Sequence, residues 1–207
     1  MHIINEIKDY GLYLGNCISQ EDIDYILDLS KSEELKQGSS RLGSHVVISY
    51  EADPHYKALE ISNQIFAKIH PVMIKAMEVY CKHFGIDMDK YAMMDKPTYW
   101  IKTYDLGANI GNHSDSWESE DGKTMVPEIS IVLYLSTDFE GGELVFIDKD
   151  SFFEISEDTG FINSENEKDI TIKPSSGNIA IFDSHVIHRV NEVLAGTRIS
   201  TDITYMK

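Results

Sequence analysis

The chain has 207 residues, 42% hydrophobic and 26% charged, with a net charge of −17, which is the composition of an ordinary globular protein with one sizeable core. No run of about 18 apolar residues exists, which argues against a membrane span, and the acidic balance argues against nucleic acid, whose phosphates are contacted by Lys and Arg. The N-terminal residues lack the basic-then-apolar order of a signal peptide, so a cytoplasmic protein is expected.

The negative charge is concentrated in one part of the chain. Residues 105–169 hold seventeen Asp and Glu against three Lys and Arg, whereas residues 170–207 carry four basic and three acidic groups. Two interpretations are open: solvated acidic loops that keep the protein soluble, or a field that favours a basic partner. The only cysteines, Cys17 and Cys81, lie far apart in apolar contexts, which favours two free thiols over a disulfide.

The first third of the chain is predicted to be mainly helical. Ser19 is typical of a helix N-cap, because acidic first-turn residues and then apolar residues at helical spacing follow it. Residues 36–50 interrupt this pattern with a Gly/Ser-rich loop, in which Arg41 could touch a substrate, and a short β-branched strand. Residues 55–84 return to helix with a broad apolar stripe, and Pro71 indicates either a kink or a break between two helices.

From about residue 97 the apolar periodicity changes to two. Turn-forming Gly, Pro, Asn, Asp or Ser separates almost every pair of apolar stretches. The predicted strands are 98–104, 128–136, 143–147, 152–155, 169–173, 178–182, 186–193 and 197–205. Short strands without intervening helices favour an antiparallel sandwich or barrel. We therefore expect a single domain over 1–207, mostly β with a helical buttress: helical support with a short strand over 1–96, then a double-stranded β-helix (jelly roll) over 97–207.

The stretch NHSDSW places His113 two residues before Asp115, and His188 follows on a later predicted strand. Period-two spacing points the first two side chains to the same side of a strand. Two imidazoles and one carboxylate on one face of an octahedron leave the opposite face open, as in non-haem Fe(II) oxygenases. The three residues therefore form a candidate metal site.

Arg198 lies ten residues after His188, on the next predicted strand, and is expected deep in the same cavity. Its guanidinium binds a carboxylate in a fork geometry that lysine cannot copy. Ser200, two residues further on, faces the same way and can donate one more hydrogen bond. The pattern predicts a clamp for a carboxylate.

In this order, the motifs resemble the 2-oxoglutarate- and Fe(II)-dependent dioxygenase superfamily, and within it the prolyl 4-hydroxylase-like branch. The resemblance covers roughly residues 97–205. It is carried by Tyr104, nine residues before the His-x-Asp pair, by IVLYLSTDFEGGELVF at 131–146 and by KPSSGNIAIFDSHVIHRVNEVLAGTRISTDI at 173–203. The chain departs from the family pattern at residues 116–127, a longer and more acidic insert, which puts the local substrate surface in doubt.

The resemblance implies that His113, Asp115 and His188 are the catalytic Fe(II) ligands and that Arg198 pairs with the distal carboxylate of 2-oxoglutarate. Tyr104, Tyr134 and Ser200 would complete the cosubstrate pocket. The implied reaction consumes 2-oxoglutarate and dioxygen, releases succinate and CO2, and hydroxylates a C–H bond, with ascorbate among the expected cofactors. A prolyl residue of a protein or peptide is the expected substrate, and a free amino acid or other small molecule is the alternative. Neither nucleic acid nor a membrane is an expected partner.

Several of these residues have a plainer interpretation. His185 could replace His188 as the distal ligand, although the ten-residue spacing to Arg198 favours His188. Both pocket tyrosines could be core aromatics, and Gly141-Gly142 reads as a hairpin turn. The residues expected to have structural roles are Trp100, Trp117, His45, His55, His70 and His83. A non-catalytic jelly roll of the cupin kind is the rival class, and it would have no need of a dicarboxylate clamp.

Overall fold

A computed structural model describes residues 1–35, 37–40, 43–49, 56–93, 98–118, 124–136, 138–148 and 168–207 of the chain. These residues contain two α-helices, a short 3-10 helix (Met88–Lys90) and seventeen strands. None of the described helices is long and apolar enough to cross a membrane. The predicted strand 152–155, Arg41 and His55 lie outside the described residues, as do the side chains of His45 and Trp117.

The first part of the chain contributes more strands than the sequence pattern predicted. Its strands are β1 (His2–Ile7), β2 (Gly11–Gly15), β3 (Gln37–Ser40), β4 (Gly43–Ser49) and β5 (Ala92–Met93). One short strand was predicted here, and the helical prediction for the first fifteen residues is wrong, because β1 and β2 form an antiparallel hairpin. All five residues of β2 are buried. Such a short, fully buried apolar run shows no alternation, so its periodicity cannot distinguish a strand from a buried helix.

Two helices follow the predicted pattern. In α1 (Gln20–Ser30), the Ser19 hydroxyl accepts the Asp22 backbone N–H at 3.1 Å, which confirms the predicted N-cap. Helix α2 (Tyr56–Phe84) is one element of 29 residues that continues through Pro71 rather than breaking there. Its apolar stripe is buried along its length, and tertiary packing therefore outweighs the hydrogen bond that proline cannot donate.

The second part of the chain forms the strands that the change of period predicted. They are β6 (Thr98–Tyr104), β7 (Ile110–His113), β8 (Trp117–Glu118), β9 (Thr124–Met125), β10 (Ile129–Tyr134), β11 (Phe139–Gly141), β12 (Leu144–Phe146), β13 (Ile170–Ile172), β14 (Ile179–Asp183), β15 (His188–Val190), β16 (Val193–Gly196) and β17 (Arg198–Met206). The predicted strand 186–193 is divided between β15 and the start of β16. The short strands β7, β8, β9 and β11 were not predicted.

The strands form two main antiparallel sheets. The larger sheet has the order β1-β2-β14-β10-β17-β6-β4-β3, with β5 also paired to β17, and the smaller has the order β13-β12-β15-β7. Two short ribbons, β11-β16 and β8-β9, complete the described strands. The non-sequential order brings distant segments side by side, as expected for a jelly roll, and the predicted fold class is confirmed.

Side chains along each strand of the larger sheet point alternately to its two faces, so the sheet separates two apolar layers. The layer between this sheet and the helices includes Ile23, Ile65, Met73, Tyr99, Ile131 and Ile181. The layer between the two sheets includes Tyr134, Leu144, Phe146, Phe182 and Val190. Strand β17 shows the division clearly, since Ile199 and Tyr205 pack on the helix side while Arg198 and Ser200 face the space between the sheets. The helices therefore buttress the sheet that carries the predicted clamp.

Candidate active site

The two predicted histidine ligands are cross-strand neighbours. Strands β7 and β15 pair at the edge of the smaller sheet, with His113 directly opposite His188. Their ring centroids are 4.3 Å apart. Asp115 lies just beyond the end of β7, where its backbone N–H donates to the Ser184 carbonyl at 3.0 Å. The register of two short strands therefore brings together residues far apart in sequence.

The ligand atoms of these three side chains converge. Nε2 of His113 and Nε2 of His188 each lie 3.7 Å from Oδ1 of Asp115, and all three atoms lie within 4.8 Å of one another. Bonds of about 2.1 Å from one metal ion place its ligand atoms about 3 to 4 Å apart. The cluster could therefore hold one metal ion after small adjustments.

Backbone carbonyls orient both imidazole rings. Nδ1 of His113 lies 2.8 Å from the Gly111 carbonyl oxygen, and Nδ1 of His188 lies 2.9 Å from that of Val186. A carbonyl can only accept, so each Nδ1 carries the proton and each Nε2 offers its lone pair to the cluster. Burial lowers the pKa of His188 below its usual value, which favours the neutral form that a metal ligand requires.

One buried serine holds the carboxylate and a second contacts that serine, and sequence reasoning missed both. The Ser130 hydroxyl donates to Oδ2 of Asp115, and its oxygen lies 2.7 Å from that of Ser184. Because Oδ2 is held in this way, Oδ1 is left to face the imidazoles. The available signal was Ser130 itself, a polar residue between Ile129 and Ile131 in a strand whose flanking residues are buried.

Arg198 begins β17 and is 2% exposed. It pairs in register with Tyr104 on β6, and Ser200 pairs with Tyr134 on β10. The guanidinium carbon lies 4.4 Å from the Tyr104 ring centroid and 5.4 Å from that of Tyr134, and Nη1 donates to the Ser200 hydroxyl at 3.2 Å. The structure thus brings together all four residues of the predicted clamp.

The clamp contains buried polar atoms without partners. Among the described residues, neither Nε of Arg198 nor the hydroxyl of Tyr134 has a hydrogen-bond partner. Burial raises the pKa of Tyr134, so its hydroxyl stays protonated and can donate. A buried guanidinium with spare donors is costly unless an anion satisfies it. The residues therefore fit a carboxylate ligand.

A glycine packs against the stem of this arginine. Gly142 follows β11 with φ +65°, and a Cβ built there would lie 2.9 Å from Cδ of Arg198. The Gly-Gly pair does not form the predicted hairpin turn, because β11 pairs with β16 whereas β12 pairs with β13 and β15. It joins two different sheets, and Gly142 also leaves room for the clamp. Gly142 and Arg198 are far apart in the chain, so the sequence pattern did not indicate this contact.

Both groups of residues line one cavity of about 100 Å³ between the two sheets. Its wall includes the three clustered residues together with Tyr104, Arg198 and Ser200. Apolar side chains from both sheets fill much of the remaining wall, among them Ile110, Leu144, Phe182 and Val190. Tyr134 does not line the cavity among the described residues and is fully buried against the arginine.

The other histidines whose side chains the structure describes, and both cysteines, lie outside the cluster. His185 is exposed, and its Nδ1 lies 2.9 Å from Oδ1 of Asp183, so the structure places His188 rather than His185 at the site. His70 contacts the Tyr99 hydroxyl at 2.8 Å, and His83 contacts Glu6 at 3.1 Å. Cys17 and Cys81 are free thiols, as predicted. Trp100 is 43% exposed rather than packed in the core.

A jelly roll that carries a His-x-Asp…His cluster and a buried arginine in one cavity has the architecture of a non-haem iron oxygenase. The family model of the 2OG-Fe(II) oxygenase superfamily matches residues 99–205, half of the chain. The chain belongs to this superfamily, whose members use Fe(II), 2-oxoglutarate and dioxygen. The donor set of the cluster and the unpartnered atoms of the clamp fit the iron and the cosubstrate respectively.

Two relatives extend this comparison. The chain is 25% identical to 2-oxoglutarate and iron-dependent oxygenase domain-containing protein 3 of Rattus norvegicus over 209 residues, which covers 98% of this chain and 58% of the relative. It is 31% identical over 105 residues to the PKHD-type hydroxylase PsycPRwf_1523 of Psychrobacter sp. (strain PRwf-1), covering 48% of this chain and 34% of that protein. The chain thus spans little more than half the length of the first relative.

Solved structures share the fold. A 2OG-Fe(II) oxygenase family oxidoreductase from Burkholderia pseudomallei matches with a TM-score of 0.66 and 18% identity, over 95% of this chain and 84% of that one. A prolyl hydroxylase from Trichoplax adhaerens, in complex with a hypoxia inducible factor peptide fragment, matches with a TM-score of 0.58 and 14% identity, over 96% and 84%. At these identities the likeness concerns the fold alone.

Proposed function

We propose that this chain is a hydroxylase that uses Fe(II), 2-oxoglutarate and dioxygen to hydroxylate a prolyl residue of a protein or peptide, with release of succinate and CO2. One observation carries the proposal. The converging His113, Asp115 and His188 and the buried, partly unsatisfied Arg198 line the same small cavity.

In this proposal His113, Asp115 and His188 hold the iron through Nε2, Oδ1 and Nε2. Three protein ligands leave positions for the cosubstrate and for dioxygen. When bound, the iron and its cosubstrate supply the oxygen chemistry. The Gly111 and Val186 carbonyls fix the orientation of both imidazoles, and burial favours the neutral form of His188.

Arg198 takes the distal carboxylate of the cosubstrate. Its Nη1 already donates to Ser200, while Nε is without a described partner and remains available as one arm of a fork with a carboxylate. The rings of Tyr104 and Tyr134 limit how the guanidinium can move. The diacid is thereby bound at a fixed place relative to the metal cluster, which reduces the entropy cost of the reaction.

The apolar part of the cavity wall excludes water. Phe182 packs edge-on against His188 with ring centroids 4.9 Å apart, and Leu144 and Val190 come from the same wall as the imidazoles. A shielded cavity strengthens the electrostatic contacts within it and limits side reactions with solvent.

The prolyl substrate is supported by three observations. The Psychrobacter relative is described as a PKHD-type hydroxylase, and the Trichoplax structure is that of a prolyl hydroxylase with a peptide. The metal cluster is reached from solvent, since His113 and Asp115 are 29% and 27% exposed, so a peptide can present one prolyl side chain there while its remainder stays outside. The acidity of residues 105–169 would favour a peptide with basic neighbours.

Mass spectrometry of succinate and of the substrate tests the proposal. The protein is incubated with Fe(II) and 2-oxoglutarate, and with either prolyl peptides that carry basic neighbours or free amino acids including L-proline. We expect succinate release stimulated by a peptide, with one oxygen atom added to its prolyl residue. Stimulation by a free amino acid alone would instead support the small-molecule alternative.

A matched pair of histidine variants provides the control. His188→Ala removes a cluster ligand and should reduce succinate release by at least about 100-fold. Loss of a residue that only orients a ligand typically costs 10- to 100-fold, and loss of the ligand itself should cost more. His185→Ala changes the same residue type three positions away, outside the cluster, and should leave the rate unchanged. Equal rates in the two variants would contradict the assigned metal site.

A further inference from the structure

An ion pair lies in the cavity wall beside the residues already described. Nζ of Lys102 is 2.8 Å from Oδ1 of Asp202, and the two side chains are 33% and 32% exposed. Both residues line the cavity together with His113 and Asp115. Neither side chain takes part in the metal cluster or in the arginine clamp.

The register places this pair between the clamp and solvent. On β17 and β6, Ser200 pairs with Lys102, and this pair lies two residues along each strand from the Arg198–Tyr104 pair. Two residues on one strand face are about 6.8 Å apart. Arg198 is 2% exposed, whereas both members of the ion pair reach solvent, as do His113 and Asp115 at 29% and 27% exposure. A substrate at the metal cluster therefore lies beside the ion pair in the same cavity.

The chemistry of the pair suits a neutral, dipolar ligand. Burial by itself would lower the pKa of Lys102, but the Asp202 carboxylate, with Tyr104 and Asp115, outweighs that effect and raises it, so the ammonium remains charged. The ammonium has three donors, of which Asp202 takes one. A cation that is already paired attracts a second carboxylate weakly, whereas a group that offers both an acceptor and a donor can bond to both members.

We propose that Lys102 and Asp202 determine substrate specificity: Lys102 donates to an acceptor of the substrate, and Asp202 accepts from a neighbouring N–H. In an extended peptide these groups are a main-chain carbonyl and amide. In a free amino acid they are the carboxylate and ammonium. The inference rests on the proposed function, and it favours the peptide main chain, because a prolyl residue held at the metal leaves its neighbours' main chain at the mouth.

The test separates substrate binding from cosubstrate binding. Steady-state kinetics are measured with a prolyl peptide acetylated at its N-terminus and amidated at its C-terminus, and separately with free L-proline. Affinity for 2-oxoglutarate is measured by calorimetry in the presence of Mn(II). We expect Lys102→Met to raise KM for the blocked peptide about tenfold or more, the effect of losing a hydrogen bond to a charged group, with a smaller change in kcat and in 2-oxoglutarate affinity.

Two further variants distinguish recognition from simple stabilisation. Lys75→Met breaks an ion pair of similar length, with Glu78 at 2.7 Å, on the exposed face of α2, and should leave KM unchanged. The reversed pair, Lys102→Asp with Asp202→Lys, keeps the attraction between β6 and β17 but inverts its direction. Lys102→Met should lower the melting temperature as well as raise KM. The reversed pair should restore the melting temperature but not the wild-type KM.

Each remaining outcome overturns the inference. An unchanged peptide KM in Lys102→Met, with a functioning wild type, overturns it and leaves the proposed function standing. A loss of 2-oxoglutarate affinity equal to the change in KM assigns Lys102 to the cosubstrate instead. A rise in KM for free L-proline alone, with none for the blocked peptide, would show that the ion pair binds an amino acid rather than a peptide main chain. No stimulation of the wild type by either probe overturns the proposed function and this inference together.

Discussion

Among single residues, one serine hydroxyl that binds no metal itself orients the carboxylate expected to bind it, and a second hydroxyl supports that serine. Ser130 and Ser184 are 3% and 0% exposed, and Ser130 occupies Oδ2 of Asp115. Without this contact the carboxylate could rotate so that neither oxygen faces the imidazoles. Partners of this kind commonly change metal affinity by 10- to 100-fold.

Ser130→Ala should therefore weaken binding of Mn(II) about tenfold, because the orienting hydrogen bond to Asp115 is lost. Isothermal titration calorimetry of the protein without cosubstrate measures this. Ser130→Thr keeps a hydroxyl and should restore the affinity. The control is Ser136→Ala, which removes a serine that contacts Thr197 and Ile199 on the same strand pair. Equal losses in the two alanine variants would show that Ser130 acts through folding alone.

At Arg198, the effect of the planar guanidinium can be separated from the effect of its positive charge. Arg198→Lys keeps the charge but loses the planar fork and the contacts with both tyrosine rings. We expect 2-oxoglutarate affinity in the presence of Mn(II) to fall at least about tenfold. Arg189→Lys, on β15 near Asp169, is the matched control and should bind normally. Full affinity in Arg198→Lys would contradict a bidentate clamp.

At the scale of elements, the turn between β11 and β12 shapes the clamp from outside the cavity. Gly142 adopts φ +65°, a backbone conformation that favours glycine, and its missing side chain leaves space for the Arg198 stem. A glycine between two strands is usually explained by its backbone conformation alone. Here the contact across the fold gives the same residue a second role.

Gly142→Ala should thus reduce both stability and 2-oxoglutarate affinity, because the new methyl group displaces Arg198. Gly85→Ala is the control: Gly85 has φ +67°, follows α2 on the helix side of the fold, and a Cβ built there meets nothing within 4 Å. Both variants should melt at lower temperature. Only Gly142→Ala should bind the diacid more weakly, and equal affinities would show that the contact with Arg198 has no functional effect.

Across the whole molecule, the packing of the two main sheets keeps Arg198 buried, and nothing described in the protein neutralises its charge. Arg198 begins β17 in the middle of the larger sheet, where neighbours on both sides hold it in place. Packing against the helices offsets the cost of that burial. Such a molecule should become more stable when an anion enters the cavity.

Adding 2-oxoglutarate with Mn(II) should raise the melting temperature by about 5 to 10 °C at 100 times the dissociation constant, since ligand linkage then contributes about 2.7 kcal/mol. Differential scanning fluorimetry measures this shift. Arg198→Met should lose the shift due to the diacid while keeping the shift due to Mn(II) alone. A diacid shift that survives in the variant would place the carboxylate elsewhere.

Strand positions and candidate ligand residues could be predicted from the sequence, because they depend on residues close together in the chain. Period-two patterning predicted most strands of the jelly roll, including β6 at its observed bounds, and the spacing around His113 and His188 predicted which side chains the structure brings together. These features were readable because alternation and ligand chemistry are properties of local stretches of chain.

Which distant residues meet depends on the assembled fold. The Ser130–Ser184 contact joins β10 to the turn after β14, the Lys102–Asp202 pair joins β6 to β17, and Gly142 reaches Arg198 from a separate ribbon. The N-terminal hairpin likewise became recognisable as strands only once β2 paired with β14. A strand's own sequence fixes which side chains share a face, but register and sheet order determine what that face meets.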